Sequence, residues 1–199
     1  IENIRSDVVD IILASASPRR AELLKKITSN FEIMESDFEE SDILFSGNCG
    51  DYVMTLAKGK AIAICNSVKK PAIIIGCDTV VYFKGKVLGK PKDIYEAFKM
   101  LSDLSNNTHE VYTGIAVINA QTQEINTDYV CTKVKFSKLS DKEINNYIES
   151  KEPLDMAGAY AIQGGASLFV QEIEGCYYSV VGLPVNKLYY MLREMGVNL

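Results

Sequence analysis

The sequence contains no tryptophan, a single histidine (His109) and only five prolines, and none of its five cysteines (Cys49, Cys65, Cys77, Cys131, Cys176) forms a C-x-x-C pair. One histidine rules out a His-rich metal centre. It also makes a Ser-His-Asp hydrolase a poor fit, the more so because G-x-S-x-G is missing. An odd number of scattered cysteines suits reduced thiols better than a disulfide framework or a zinc site. No apolar run nears the roughly 18 residues that span a bilayer, and the N-terminus carries no signal-peptide pattern. A cytoplasmic protein with no membrane partner is expected. The usual phosphate loops, G-x-x-x-x-G-K-[ST] and G-x-G-x-x-G, are absent as well. A net charge of -5 argues against nucleic acid as a partner, because that binding depends on clustered Lys and Arg. If the ligand is an anion, its cations must be gathered locally.

What is present reads as an ordinary globular chain of 199 residues, 47% hydrophobic and 24% charged, enough for one large domain or two lobes sharing a cleft. Residues 8–14, "VVDIILA", read as a strand covered on both faces, and "SPRRAELLKKI" as a helix with Ser17 as N-cap and Pro18 in its first turn. A second strand at 31–35, an acidic loop and a helix over 51–65 follow. "PAIIIGCDTVVYF" (71–83) reads as a buried strand that breaks near Gly76 and resumes, turning at "KGK" into a hairpin. Helices are expected at 93–104, 140–150 and 183–194. Two long β runs lie on either side of "QTQE", and shorter strands are expected around "SLFVQEI" and "YYSVV". Strands and helices interleave without a repeat or linker, so the class is α/β with a mixed sheet flanked by helices.

Several stretches could carry chemistry. In "LASASPRR" a strand feeds a helix whose first turn holds Arg19 and Arg20, which oppose the macrodipole by about 0.3 to 1 kcal/mol unless something negative sits opposite. Solvent, the acidic loop or a bound phosphate would each satisfy them. Asp78 of "GCDTVV" could bind a hard cation or take a proton from water, or be a plain turn former. Glu39 and Glu40 offer a second carboxylate. Lys58, Lys60, Lys90 and Lys92 are compact cations suited to phosphate, though lysines on helix faces are commonly solubilisers. Gln163 can donate and accept at a base edge, and Gly164 with Gly165 allows close backbone approach or simply a turn. His109 is most simply a strand-start residue.

Taken in order, "ILASASPRRAELL", "LAKGKA", "GCDTVV", "GKVLGKPKD", "HEVYTG", "EPLDMAGAYAIQG" and "YYSVVGLP" resemble the blocks of the Maf family of nucleoside triphosphate pyrophosphatases, from about residue 11 to 192. The resemblance implies a single Maf-like domain over 1–199, with two lobes around a central cleft. It also implies hydrolysis of a nucleoside triphosphate to monophosphate and pyrophosphate with a divalent cation, Mg²⁺ first and Mn²⁺ or Co²⁺ as alternatives. Carried over by position, Asp78 is the catalytic carboxylate and Glu40 joins the triphosphate site; Asp78, with Glu40 or water, is expected to hold the metal. Ser15, Arg20, Lys60 and Lys90 line the triphosphate site. Arg19, Thr79 and Gln163 stand at the family's substrate-discriminating positions and resemble the dTTP/UTP branch rather than the 7-methyl-GTP branch. A homodimer is implied too. Met156 and Cys176 depart from the usual Lys and Asp of their blocks, and the missing Lys would weaken phosphate binding if it helps there. A nucleotide-binding regulator of cell division without catalysis is the alternative from another class.

Overall fold

The computed structural model describes residues 9–199. Val8, the first residue of the expected opening strand, lies outside them. Seven strands form one mixed sheet in the order β2-β1-β3-β5-β6-β7, with β4 paired to β3 off that path. β1 (Asp10–Leu13) lies parallel to β2 (Glu32–Ile33) and to β3 (Ala72–Phe83), while β4 (Lys86–Leu88), β5 (Thr108–Asn119), β6 (Ile125–Phe136) and β7 (Val170–Glu174) join antiparallel. The helices are α1 (Pro18–Leu24), α2 (Cys49–Ser67), α3 (Ile94–Leu104), α4 (Asp141–Glu149), α5 (Tyr177–Val181) and α6 (Val185–Glu194).

Alternation along the central strands sorts the core onto two faces, as a strand's two-residue period requires. Ile12, Ile74, Ala116 and Ile118 pack with Ala57, Ala61 and Ile64 of α2 on one face. On the other, Leu13, Ile73, Ile75, Cys77, Ile115 and Val117 join the larger core with Leu24, Leu101, Ile144 and Leu188 from the remaining helices. The helix starts follow local chemistry. Asn48 accepts from Asp51 N–H and Asp93 from Glu96 N–H, while Ser140 and Glu143 form a reciprocal capping box.

Three expectations are corrected. β3 does not break at Gly76, because β5 pairs with it without interruption from Ile73 to Tyr82. Gly76 serves packing instead, since a Cβ there would meet the Ala57 carbonyl at 2.1 Å, and one on Gly114 the Val53 carbonyl at 2.3 Å. The two glycines let α2 lie directly on the sheet. "YYSVV" is the short helix α5 rather than a strand. Gly175 turns the chain at φ +129, and the Ser179 N–H and Ser179 Oγ both donate to the Cys176 carbonyl, so local hydrogen bonds override the β preference of Tyr and Val. Ser17 occupies the N-cap of α1, but its side chain makes no capping bond.

One feature of the sheet positions everything that follows. β1 pairs with β3 only as far as Leu13 opposite Ile75, and β4 takes up the same edge only from Val81. Between them Gly76–Val80 has β5 on one side and no strand on the other. Asp78 sits in the middle of that opening, beside the point where β1 hands the chain to α1. Crevices at the ends of parallel strands are where open α/β sheets bind ligands.

Candidate active site

The opening in the sheet is the floor of a cleft of about 560 Å³, within the usual range for small-molecule sites. Ser15, Arg19, Arg20, Glu40, Lys60, Asp78, Thr79, Lys90 and Gln163 all border it, as does Met156. The structure therefore brings every residue named for the site to one place, from segments as remote as β1 and the turn after Tyr160. Lys58, Lys92, Glu39, Gly164 and Gly165 do not border it. The glycine pair packs against Glu152, whose carboxylate accepts the Gly165 N–H at 3.0 Å, so the pair forms a turn. Cys176 is also away from the cleft.

Asp78 projects from β3 on the α2 face and is 6% exposed. Lys60, one helical turn beyond the Ala57 contact with Gly76, donates to Asp78 Oδ1 at 2.6 Å and meets Glu40 Oε1 at 2.8 Å. Glu40 opens a turn of 3₁₀ helix over Glu40–Asp42 and is mostly exposed. Burial pushes the Asp78 carboxyl above the ordinary carboxylate range, against the opposing pull of Lys60 and Arg20. Burial alone would lower Lys60, but the charge and hydrogen bonds of Asp78 and Glu40 outweigh it and hold the ammonium above its ordinary value.

Thr79, the next residue, faces the opposite side of β3, and there Arg20 is held differently. Its Nε donates to the Gly182 carbonyl at 2.9 Å, Nη1 to Ser15 Oγ at 3.3 Å and Nη2 to Thr79 Oγ1 at 3.3 Å. Of the five guanidinium N–H groups, three are thus taken by neutral oxygens. One remains on each terminal nitrogen, the fork that matches two oxygens of a phosphate. The charge that the first turn of α1 could not place is turned neither to solvent nor to the acidic loop.

Lys90 and Gln163 stand at the exposed rim. Lys90 pairs with Asp155 at 2.6 Å, both largely in solvent. His109 is strand-bound but fully buried. Its Nε2 lies 2.7 Å from the Tyr160 hydroxyl, and burial lowers its pKa to about 4, so it is neutral at ordinary pH. Its Nδ1 has no partner among the described residues.

Sequence reasoning gave no role to four residues that hold this site together. Gly182 supplies the carbonyl for Arg20, Thr113 and Ser179 support Thr79 from behind, and Asp155 pairs Lys90. Gly182 and Thr113 lie inside "VVGLP" and "HEVYTG", but a backbone carbonyl has no sequence signature, and a threonine in a strand reads as β propensity.

Set beside known proteins, the chain matches the family described as Maf-like protein over residues 10–195. It belongs to the Maf family. A curated relative from Clostridium tetani, named dTTP/UTP pyrophosphatase, is 53% identical over 192 residues, covering 96% of this chain and all of that one. The protein of the same name from Clostridium novyi is 57% identical over 189 residues, 95% of this chain and 99% of its own. Among solved structures, the Ham1 protein of Staphylococcus aureus aligns over 94% of this chain and 99% of its own with 13% identity and a TM-score of 0.49, too distant to speak for this Maf chain's activity.

Proposed function

We propose that this chain hydrolyses pyrimidine nucleoside triphosphates, dTTP and UTP first, to the monophosphate and pyrophosphate. The observation that carries the reading is the meeting of a buried carboxylate with two cations in one cleft: Asp78, its partner Lys60, and the anchored Arg20. Membership of the Maf family and the names of the relatives supply the substrate class.

A divalent cation belongs to the reading. Among the described residues no three His, Cys, Asp or Glu side chains converge, yet Asp78 and Glu40 flank the Lys60 ammonium with one oxygen each, so each keeps a second hard oxygen donor for an ion. Mg²⁺ is ordinarily held by one or two carboxylates and completes its shell with water and substrate phosphate. The donor set fits, with Asp78 and Glu40 as the protein's share. When bound, the ion neutralises phosphate charge and polarises a phosphoryl oxygen.

The side chains then have distinct tasks. Lys60 engages Asp78 Oδ1 and leaves Oδ2 to accept a proton from water. A carboxylate lifted by burial is a better base for this than an exposed one. As the proton moves to Asp78, the water oxygen bonds to the α-phosphorus and the bond from that phosphorus to the bridging oxygen breaks, releasing pyrophosphate. Arg20 with Lys60 stabilises charge on the transferring and leaving groups, while Lys90 at the rim attracts the triphosphate. Gln163 and Thr79, with Arg19 on the same cleft, choose the base, since a site that pairs with polar edges rejects bases that leave them unpaired.

A homodimer, implied by the family resemblance, completes the reading, and sedimentation of the purified protein checks it. A cytoplasmic location is part of the proposal, and among the described residues no helix is long and apolar enough to cross a membrane. The central test is pyrophosphate release across natural triphosphates and 7-methyl-GTP, with Mg²⁺ and with chelator. We expect dTTP and UTP to lead and chelation to stop turnover. Preference for 7-methyl-GTP would overturn the substrate assignment, and nucleotide binding without pyrophosphate release would favour the regulator.

A further inference from the structure

Behind Thr79 a chain of hydroxyls runs away from the cleft. Thr79 Oγ1 lies 2.9 Å from Thr113 Oγ1, and Thr113 Oγ1 donates to the Ser179 carbonyl at 2.8 Å. Ser179 Oγ donates to the Cys176 carbonyl at 2.7 Å and lies 2.8 Å from Thr132 Oγ1, which accepts the Cys176 N–H at 3.0 Å. Thr113, Thr132 and Ser179 are 0% exposed, and none of them borders the cleft.

Counting protons fixes the direction of the chain. A carbonyl only accepts, so the single proton of Thr113 is committed to Ser179 O. The contact between Thr79 and Thr113 must then use the proton of Thr79. A guanidinium only donates, so Thr79 receives Arg20 Nη2 on a lone pair. These bonds agree with one another, and the hydroxyls of Thr113 and Thr79 each have one possible orientation. α5 and the residue after it thereby grip Arg20 twice. Gly182 O takes Nε directly, and Ser179 O reaches Nη2 by way of Thr113 and Thr79.

We propose that Thr113, which never reaches the cleft, is a positioning residue of the reaction: it takes the proton of Thr79, so Thr79 offers Arg20 only lone pairs and the guanidinium stays aimed at the phosphates. The inference rests on the pyrophosphatase reading above. Without the Thr113 hydroxyl, Thr79 is free to rotate its proton toward the guanidinium, and the third anchor of Arg20 is lost. An aim needed as charge develops shows in kcat, whereas a uniform weakening of binding shows in KM.

The experiment compares Thr113→Val, Thr113→Ser and the wild-type protein by thermal melt and by pyrophosphate release from UTP, each also in an Arg20→Ala background. Thr113→Val is expected to lower kcat about tenfold with KM within about twofold, the scale of one lost hydrogen bond. Thr113→Ser, which restores the hydroxyl, stays within about twofold of wild type. In the Arg20→Ala background Thr113→Val costs nothing further, because the group it positions is gone. A merely structural threonine would lower the melting temperature, keep its full effect without Arg20 and leave kcat of the folded enzyme unchanged. That pattern overturns the proposal, as does a serine variant as impaired as the valine one. Should Thr113→Val not fold, Thr113→Cys, a weak donor, is expected between serine and wild type on one side and the tenfold loss on the other, and full wild-type kcat there overturns it equally. Wild-type protein releasing no pyrophosphate from any triphosphate defeats the functional reading and this inference with it. Active wild type with an indifferent Thr113→Val defeats the inference alone.

Discussion

Lys60 and Arg20 reach the same cleft from opposite faces of β3, and they are held there by different means. Lys60 is held by charge, between Asp78 and Glu40. Arg20 is held by three neutral oxygens, from Gly182, Ser15 and Thr79. The Lys60 charge is therefore already balanced in the free protein, and its first effect is to pull the Asp78 pKa down against the burial that raises it. Among the described residues no carboxylate pairs directly with Arg20, so its charge is fixed in place and available to a phosphate without rearrangement. One cation conditions the base, and the other waits for the anion. The difference follows from the fold: α2 lies flat on one face because Gly76 and Gly114 admit it, while the short α5 and its following glycine offer bare carbonyls to the other.

The comparison breaks most cleanly at Asp78, which only the Lys60 face needs. Asp78→Asn keeps an oxygen for Lys60 but cannot accept a proton, and we expect kcat to fall by about 10³ with the fold retained, within the range for loss of a general base. Pyrophosphate release and a melting curve measure both, and a folded variant with near-full turnover would remove Asp78 from the chemistry. Arg20→Ala should come next, at about 10² in kcat/KM, the lower end for one preorganised donor. Arg20→Lys should recover little, since a single ammonium cannot make three anchoring bonds and still present a fork.

Lys60 gives a prediction of another kind, because its first role is electrostatic. Asp78 must be ionised to take a proton. Its pKa is already raised by burial and restrained mainly by Lys60. Lys60→Met removes that restraint, so Asp78 holds its proton to higher pH and the acid limb of the kcat profile moves upward. Wild type should already show this limb above the ordinary Asp value of 3.8. A pH series on both proteins reads the shift, and coincident limbs would mean that Lys60 does not tune the base. Arg20→Ala should move the limb less, since Lys60 is the larger influence on Asp78.

How much of this was legible beforehand divides along the same faces. Arg19, Arg20, Lys60 and Asp78, unlike Glu35 and Asp155, which also border the cleft, could be named from the chain, because charged residues in "LASASPRR", "LAKGKA" and "GCDTVV" stand out against apolar neighbours. Their convergence could not. It depends on the β1 and β4 registers leaving the edge of Gly76–Val80 opposite β5 open, and register is a long-range property. Gly76 reads in the sequence as a break, but it admits a helix and the strand runs on through it. The neutral anchors of Arg20 were least visible. Gly182 and Ser179 act through backbone carbonyls, and Thr113 acts through a hydroxyl that elsewhere would serve only β propensity. The α5 sequence itself misled, because Tyr and Val favour strands until Gly175 and the Ser179 bond decide otherwise.

The smallest expected effect lies at the rim, where neither means of holding applies fully. Lys90 is paired like Lys60, but Lys90 and Asp155 are 66% and 74% exposed. In water such a pair contributes about 0 to 1 kcal/mol and is screened by salt, so breaking it should leave stability nearly unchanged. Lys90→Ala should raise KM about threefold and leave kcat within about twofold, because a solvated lysine adds long-range attraction and little transition-state aim. Asp155→Ala should act with the opposite sign, lowering KM by freeing Lys90 for phosphate. Both effects should shrink as ionic strength rises, while that of Arg20→Ala persists. If Lys90→Ala instead cut kcat as deeply as Arg20→Ala, the exposed cation would be joining the chemistry once substrate is bound, and the contrast between a fixed and a solvated cation would fail at this residue.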